Sequence, residues 1–155
     1  MKYFLVIFIL LFTACSIKNY KHTSTKIVTI KSEKLKFSDV GYIRHTDDAI
    51  ELELFFAGRA YKKIHINTLI CVDNGCMSKS SFNEEYLSKY YPTSILQNII
   101  LGKKIYDGVN SIKQSDGFIQ QIKRLHVNIK YRVNSKEIYF KDVYNHILIK
   151  IKEVN

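Results

Sequence analysis

Apolar positions recur along this chain in two rhythms, and the change of rhythm divides it. From Thr25 to about residue 72 the period is mostly two. In "AIELELFFAG", Ile50, Leu52, Leu54 and Phe56 fall on one side and Glu51 and Glu53 on the other. That alternation predicts an antiparallel strand with one buried face. "TKIVTIK" is β-branched, and "KLKFSDVGYIRH" alternates in part, with Leu35 and Phe37 on one side and a bend expected near Gly41. "YKKIHIN" and "TLICV" continue the series. The short polar stretches between these segments, such as residues 45–48 and 57–59, predict a meander of strands joined in sequence order.

The middle of the chain changes period. "SFNE" at residues 81–84 has the form of a capping box, in which a serine hydroxyl meets the N–H three residues on and the glutamate reaches back. It predicts a helix from Phe82 to about Tyr91, with Phe82, Tyr86, Leu87 and Tyr90 on one face and Glu85 paired with Lys89. "TSILQNIILG" follows Pro92 as a second short helix, with Ile95, Leu96, Ile99 and Ile100 apolar and Gly102 as its stop. Residues 103–117 read as loop. Alternation then returns in "RLHVNIKYRV", with Leu125, Val127, Ile129, Tyr131 and Val133 inward, and in "KEIYFKD" and "NHILIKIKEV". The fold class expected is α+β: a curved, mainly antiparallel sheet, capable of half-barrel form, with two short mid-chain helices.

Ahead of all this, Lys2 precedes a nearly unbroken apolar run from Tyr3 to Phe12, then Thr13, Ala14 and Cys15. The run is short of the roughly 20 residues of a bilayer span and has the build of a signal peptide. Phe12-Thr13-Ala14-Cys15 resembles the lipobox of bacterial lipoproteins. The resemblance implies cleavage before Cys15, lipidation of Cys15, and a cell-envelope location; Ser16, not being aspartate, favours the outer membrane, facing the periplasm. The expected organisation is a signal peptide at 1–14, a lipidated tether at 15–24 and a single globular domain at 25–155.

Charge and cysteines refine that picture. Lys and Arg number 24 against 14 Asp and Glu, a net +10, of which Lys2 alone would leave with the signal. Such a surface meets nucleic acid, anionic lipid or acidic partners; export argues against nucleic acid, and the lysines are scattered rather than clustered. Cys71 and Cys76 flank "VDNG", a strong turn sequence. In an oxidising compartment the pair is expected to form a disulfide pinning that turn. The alternatives are half a metal site or a redox pair. Neither a second ligand pair at metal spacing nor a C-x-x-C is present.

Catalytic chemistry is hard to assemble from what remains. The histidines at 22, 45, 65, 126 and 146 show no ligand spacing. His45 with Asp47 and Asp48 reads as turn chemistry before it reads as a metal site. Ser80 and Ser81 read as helix starters, and Glu51 and Glu53 as a solvated strand face. No catalytic residue, metal site or cofactor is expected. Eleven Tyr and nine Phe with no Trp leave two readings open, an ordinary aromatic core or an apolar groove between sheet and helices lined by Tyr86, Leu87, Ile95, Ile99 and Ile100. Strands, two short helices ending "ILQNIILGK", and final strands ending "EIYFKDVYNHILIKIKEV" are similar to LolB-like outer-membrane lipoprotein receptors. That resemblance implies a half-open antiparallel barrel closed by helices around a lipid cavity. The function expected is a non-enzymatic, membrane-anchored module that binds another envelope protein, with a LolB-like carrier or receptor for lipid or lipoprotein as the alternative. Its partners are then the membrane, through the lipid anchor, and an envelope protein or an acyl chain.

Overall fold

The computed structural model describes residues 20–154. The expected signal peptide at 1–14 and Cys15 lie outside the described residues. Eleven strands form one curved, unclosed antiparallel sheet. They are β1 (His22–Lys31), β2 (Lys36–His45), β3 (Ile50–Phe56), β4 (Arg59–Ile66), β5 (Ile70–Val72), β6 (Gly75–Met77), β7 (Ser111–Gln114), β8 (Gly117–Arg124), β9 (Val127–Asn134), β10 (Glu137–Asp142) and β11 (Ile147–Glu153). Helices α1 (Lys79–Tyr86) and α2 (Ile95–Ile100) and a 3₁₀ turn (Tyr106–Gly108) connect β6 to β7.

The strand order is β6-β5-β4-β3-β2-β1-β11-β10-β9-β8-β7. The first and last strands therefore pair at the centre, with Val28 opposite Ile151 and Ile30 opposite Ile149. Two meanders spread outward from that seam, and the helical segment joins their free edges. With 55 % strand and 13 % helix, the α+β description holds only coarsely.

One face of the sheet is mainly apolar, as the period of two demands, and is interrupted by the buried Gln120 and Asp142. Leu52, Leu54, Tyr131 and Phe140 are fully buried there, and Ile95, Ile99 and Ile105 from the connecting segment complete the same core. Among the described residues, eleven strands and two helices share this one core.

Several local expectations are corrected. β1 begins at His22, so the last three residues of the stretch expected as tether are strand. Gly41 makes no bend; it lies within β2, where a Cβ would stand 3.1 Å from Val28 Cγ2 and 3.2 Å from the Glu53 carbonyl, so its lack of a side chain serves close packing. α1 starts three residues before Phe82 and ends at Tyr86. Its cap is Ser78, whose Oγ accepts from Ser81 N–H at 3.0 Å, so the serine at the head of "SFNE" is inside the helix. Glu85 pairs with Lys34 at 3.7 Å instead of Lys89. α2 ends as expected: Gly102 has φ +62°, and Lys103 N–H donates to Asn98 O and Gly102 N–H to Ile99 O, a Schellman closure.

Residues 103–117 are not an open loop. They hold the 3₁₀ turn and edge strand β7, and Gly117 opens β8, where a Cβ would fall 1.9 Å from the Val133 carbonyl oxygen. Leu125, expected inward, is 84 % exposed, because it sits in the two-residue turn between Arg124 and Val127.

Candidate functional site

The five residues expected to line a groove are brought together, and they are packed. Ile95 and Ile99 are 0 % exposed and Ile100 is 5 % exposed. Tyr86 and Leu87 are half-buried against the same core, with the Tyr86 ring stacked 4.8 Å from Phe82. Beside the end of α2 there is a small cleft of about 170 Å³, floored by Leu101, Val133, Ile138 and Ile151 and rimmed by Lys26 and Glu153. A larger hollow of about 760 Å³ adjoins it around Ile27 and Val154, and its other residues are Asn134, Lys136, Glu137, Lys152 and Glu153, all polar or charged.

Buried polar side chains fasten the connecting segment to the sheet. Gln120, fully buried, accepts from Ile105 N–H at 2.9 Å and donates to the carbonyls of Ile105 at 3.0 Å and Val109 at 2.8 Å. The Tyr131 hydroxyl donates to Lys103 O at 2.9 Å. Asn83 donates to Pro92 O at 3.0 Å.

Asp142 is the densest hub, at 0 % exposure. Its carboxylate accepts from Tyr91 OH at 2.8 Å, Asn145 Nδ2 at 2.7 Å, and the backbone N–H groups of Asn128 and Tyr144 at 3.0 Å each. Burial, and then the Asp142 carboxylate, push the Tyr91 hydroxyl well above the usual phenol range. Burial alone does the same for Tyr131; burial, opposed by Arg124 and aided by Asp142, raises Tyr106 to about 12. These phenols stay protonated near neutral pH and act as hydrogen-bond donors. Sequence reading passed over this network. Its one local signal is Asp142 at the end of a strand, followed by turn residues whose N–H groups an aspartate can accept.

A second hub sits on the opposite, outer face. Glu51, expected to be solvated, is 4 % exposed. It accepts from Tyr20 OH at 2.7 Å, Arg44 at 2.9 Å and Lys63 at 2.9 Å, while Arg44 also reaches Glu53 at 2.7 Å. Burial pushes the Glu51 carboxyl up, but hydrogen bonds from Tyr20 and Lys63, with the Lys63 charge and Arg44, outweigh it and hold the group below its usual value. Arg44 and Lys63 reach these glutamates from the neighbouring strands β2 and β4, and Tyr20 reaches Glu51 from just before β1.

The disulfide is formed. Cys71 and Cys76 are directly opposite each other in β5 and β6, S–S 2.08 Å and Cα–Cα 3.9 Å. Asp73 takes the positive φ of the turn, +51°, and its carboxylate accepts from Lys63 N–H at 3.0 Å. At the other turn considered for a metal, Thr46 Oγ1 accepts from the N–H groups of Asp48 and Ala49, and His45 stacks on His22. Among the described residues no group of three His, Cys, Asp or Glu is placed to hold a metal ion, and no helix is long and apolar enough to cross a membrane. No protein-family model and no curated protein matches the chain.

Proposed function

We propose that this protein is a lipid-anchored envelope module, without enzymatic activity, that acts by binding another component of the bacterial envelope. The observation that carries the reading is the packing beneath the helix pair. Ile95 and Ile99 are completely buried in the sheet's core, so α2 plugs the inner face. Ligand pockets for small molecules run to about 300–1,000 Å³ and are mainly apolar. The cleft beside α2, about 170 Å³ and lined mostly by polar and charged residues, is smaller and more polar than that. The polar hubs support the same reading, since Asp142, Gln120 and Glu51 are taken up by structural hydrogen bonds.

The anchor rests on the lipobox resemblance at Cys15. Metabolic labelling with a fatty acid tests it: the native chain takes up label, and Cys15→Ala does not. The choice between an interaction module and an acyl-chain carrier is tested with a fluorescent fatty acid and residues 20–155. No saturable binding is expected. Saturable binding that a folded Ile99→Glu variant loses would replace the module with a half-barrel carrier.

A further inference from the structure

The outer face of the sheet carries a row of lysines that the fold leaves without counter-charges. Reading across the strand pairings, Gln121 stands opposite Lys130, Lys130 opposite Lys141, Lys141 opposite Leu148, Leu148 opposite Lys31, and Lys31 opposite Lys36. Directly paired residues share a face, so four lysines line up across β9, β10, β1 and β2, and two of their pairings set like charges face to face. All four are exposed. Among the described residues none of them has a carboxylate at ion-pair distance. At about 4.8 Å per strand, the row from Gln121 to Lys36 spans roughly 24 Å.

At the end of the sheet next to this row the surface becomes apolar. Leu125 is 84 % exposed, Val143 49 % and Tyr144 48 %, on the two neighbouring turns that close β8–β9 and β10–β11. The turns are tied rigidly together: Asn145 Nδ2 donates to His126 O at 2.9 Å and to Asp142. The Tyr90 ring stacks on His126 at 3.9 Å. Lys123, Arg124 and Lys89 stand in the same neighbourhood, where Asp142 is fully buried. The flanking 3₁₀ turn carries one exposed acid, Asp107, with the exposed Lys103 and Lys104 just before it in the chain.

From this arrangement we infer that the outer face of β8–β11, β1 and β2, together with the Leu125 and Tyr144 turns, docks on the surface of an anionic phospholipid bilayer. Lysines near such a surface attract headgroup charge. Tyrosine suits the headgroup level, where its ring is apolar and its hydroxyl wet, and an exposed leucine beside it gains by entering the acyl boundary. A soluble polyanion would use the lysines and leave Leu125 idle. The geometry also agrees with an anchor at Cys15. His22 lies at the opposite end of β1, nine residues or about 30 Å away. The seven residues back to Cys15 reach at most about 24 Å. An anchored domain therefore lies along the bilayer on its outer face when these turns touch it.

The contact does not depend on lipidation, so residues 20–155 are the material for the test. They should sediment with vesicles of phosphatidylglycerol and phosphatidylcholine in equal parts, and not with phosphatidylcholine alone. Each lysine is worth about fivefold in affinity, so Lys130→Gln with Lys141→Gln should weaken binding about 25-fold. Leu125→Ser with Tyr144→Ser should weaken it several-fold and leave its salt dependence unchanged. All four positions are exposed, and circular dichroism checks the fold. Absence of binding to anionic vesicles, or equal binding by the lysine variant, overturns the proposal. Binding to duplex DNA as tight as to vesicles, with no effect of Leu125→Ser and Tyr144→Ser, overturns the bilayer in favour of a general polyanion surface.

Discussion

Two regions of the outer face are built on the same strand pattern and treat charge in opposite ways. Across β2–β4, Arg44, Glu51, Glu53 and Lys63 alternate in sign and neutralise one another at 2.7–2.9 Å. Across β9, β10, β1 and β2, four lysines stand in a row with no carboxylate among them. The row draws on both ends of the chain: Lys130 and Lys141 come from residues 103–154, which carry eleven Lys and Arg against five Asp and Glu, net +6, while Lys31 and Lys36 come from residues 20–77, which carry nine against seven, net +2. Inside, both halves bury apolar rows, Ile, Leu and Val with Phe37 in the first and Ile and Val with Tyr131 and Phe140 in the second, where Gln120 and Asp142 are buried as well. On the outside, one region spends its charges on itself and the other leaves them available.

The comparison breaks most readily at Asp142. This carboxylate accepts four hydrogen bonds beneath the exposed turns, and Asp142→Ala removes all four, leaving only Asn145 Nδ2 a second acceptor, His126 O. Buried donors left unpaired cost about 1–3 kcal/mol each before relaxation, so a net loss on the order of 3–5 kcal/mol is expected in urea unfolding. Hydrogen exchange should rise first at residues 125–128 and 143–146, while β2–β4 stays protected. A uniform rise across both regions would show that they do not differ in this way.

The other half has its own clip. Removing the Cys71–Cys76 bridge, by Cys71→Ser with Cys76→Ser, opens a short covalent loop and should cost about 2 kcal/mol. The bridge holds three-residue strands β5 and β6 at one free edge of the sheet. Exchange should therefore increase at residues 70–77, with little change at the other edge, β7.

How much of this was legible in the sequence depends on what each residue's signal competes with. Strands such as β3 and β11 were plain from their alternation, although Phe56, expected on the side of Ile50, is 66 % exposed past the register shift at Leu54 and Phe55. The disulfide hairpin was legible from two cysteines around a turn. α1 was displaced because "SKSS" offers several serines as caps, and the choice among them is made by packing. β8 escaped notice because Gln120 interrupts its apolar face; only the folded chain shows that Gln120 is fully buried to hold the segment at 105–109. Glu51 read as solvated because its partners come from Tyr20, Arg44 and Lys63, on three other stretches of chain. The lysine row was invisible for the same reason: scattered in sequence, its members meet only through strand register.

Acid should separate the two regions. Desolvation raises the Glu51 carboxyl, and its hydrogen bonds and neighbouring cations bring it below its usual value. Asp73 is lowered chiefly by the Lys63 backbone N–H, and Asp47 by the Lys21 ammonium. All three lie in residues 20–77. A carboxyl with a depressed folded pKa contributes stability that is complete above its unfolded value, about 4, and is lost as pH falls through the folded one. Between pH 5 and pH 2, β2–β5 should therefore lose exchange protection ahead of β8–β10. Glu51→Gln, which turns charge-assisted bonds into neutral ones, should cost about 1–1.5 kcal/mol at pH 7 and flatten that acid response. An unchanged response in Glu51→Gln would remove Glu51 as its source.

The smallest effect has the opposite sign. Lys141 faces Lys130 directly and Leu148 on its other side, so Lys141→Glu converts a repulsive cross-strand pair into an attractive one. Such pairs are worth roughly 0.2–1 kcal/mol, and an exposed one at the low end, so a gain of about 0.5 kcal/mol is expected. The gain should shrink as salt rises, since the Debye length falls to about 3 Å at 1 M. Placing the opposite change in the neutralised lattice, Glu53→Lys, should destabilise, because it sets a third cation beside Arg44 and Lys63. The two substitutions, compared at low and high salt, measure directly whether the lysine row is held at a cost to the fold. If Lys141→Glu gains nothing at low salt, the four lysines are far enough apart in solution to ignore one another, and the contrast between the two faces is one of arrangement without energy behind it.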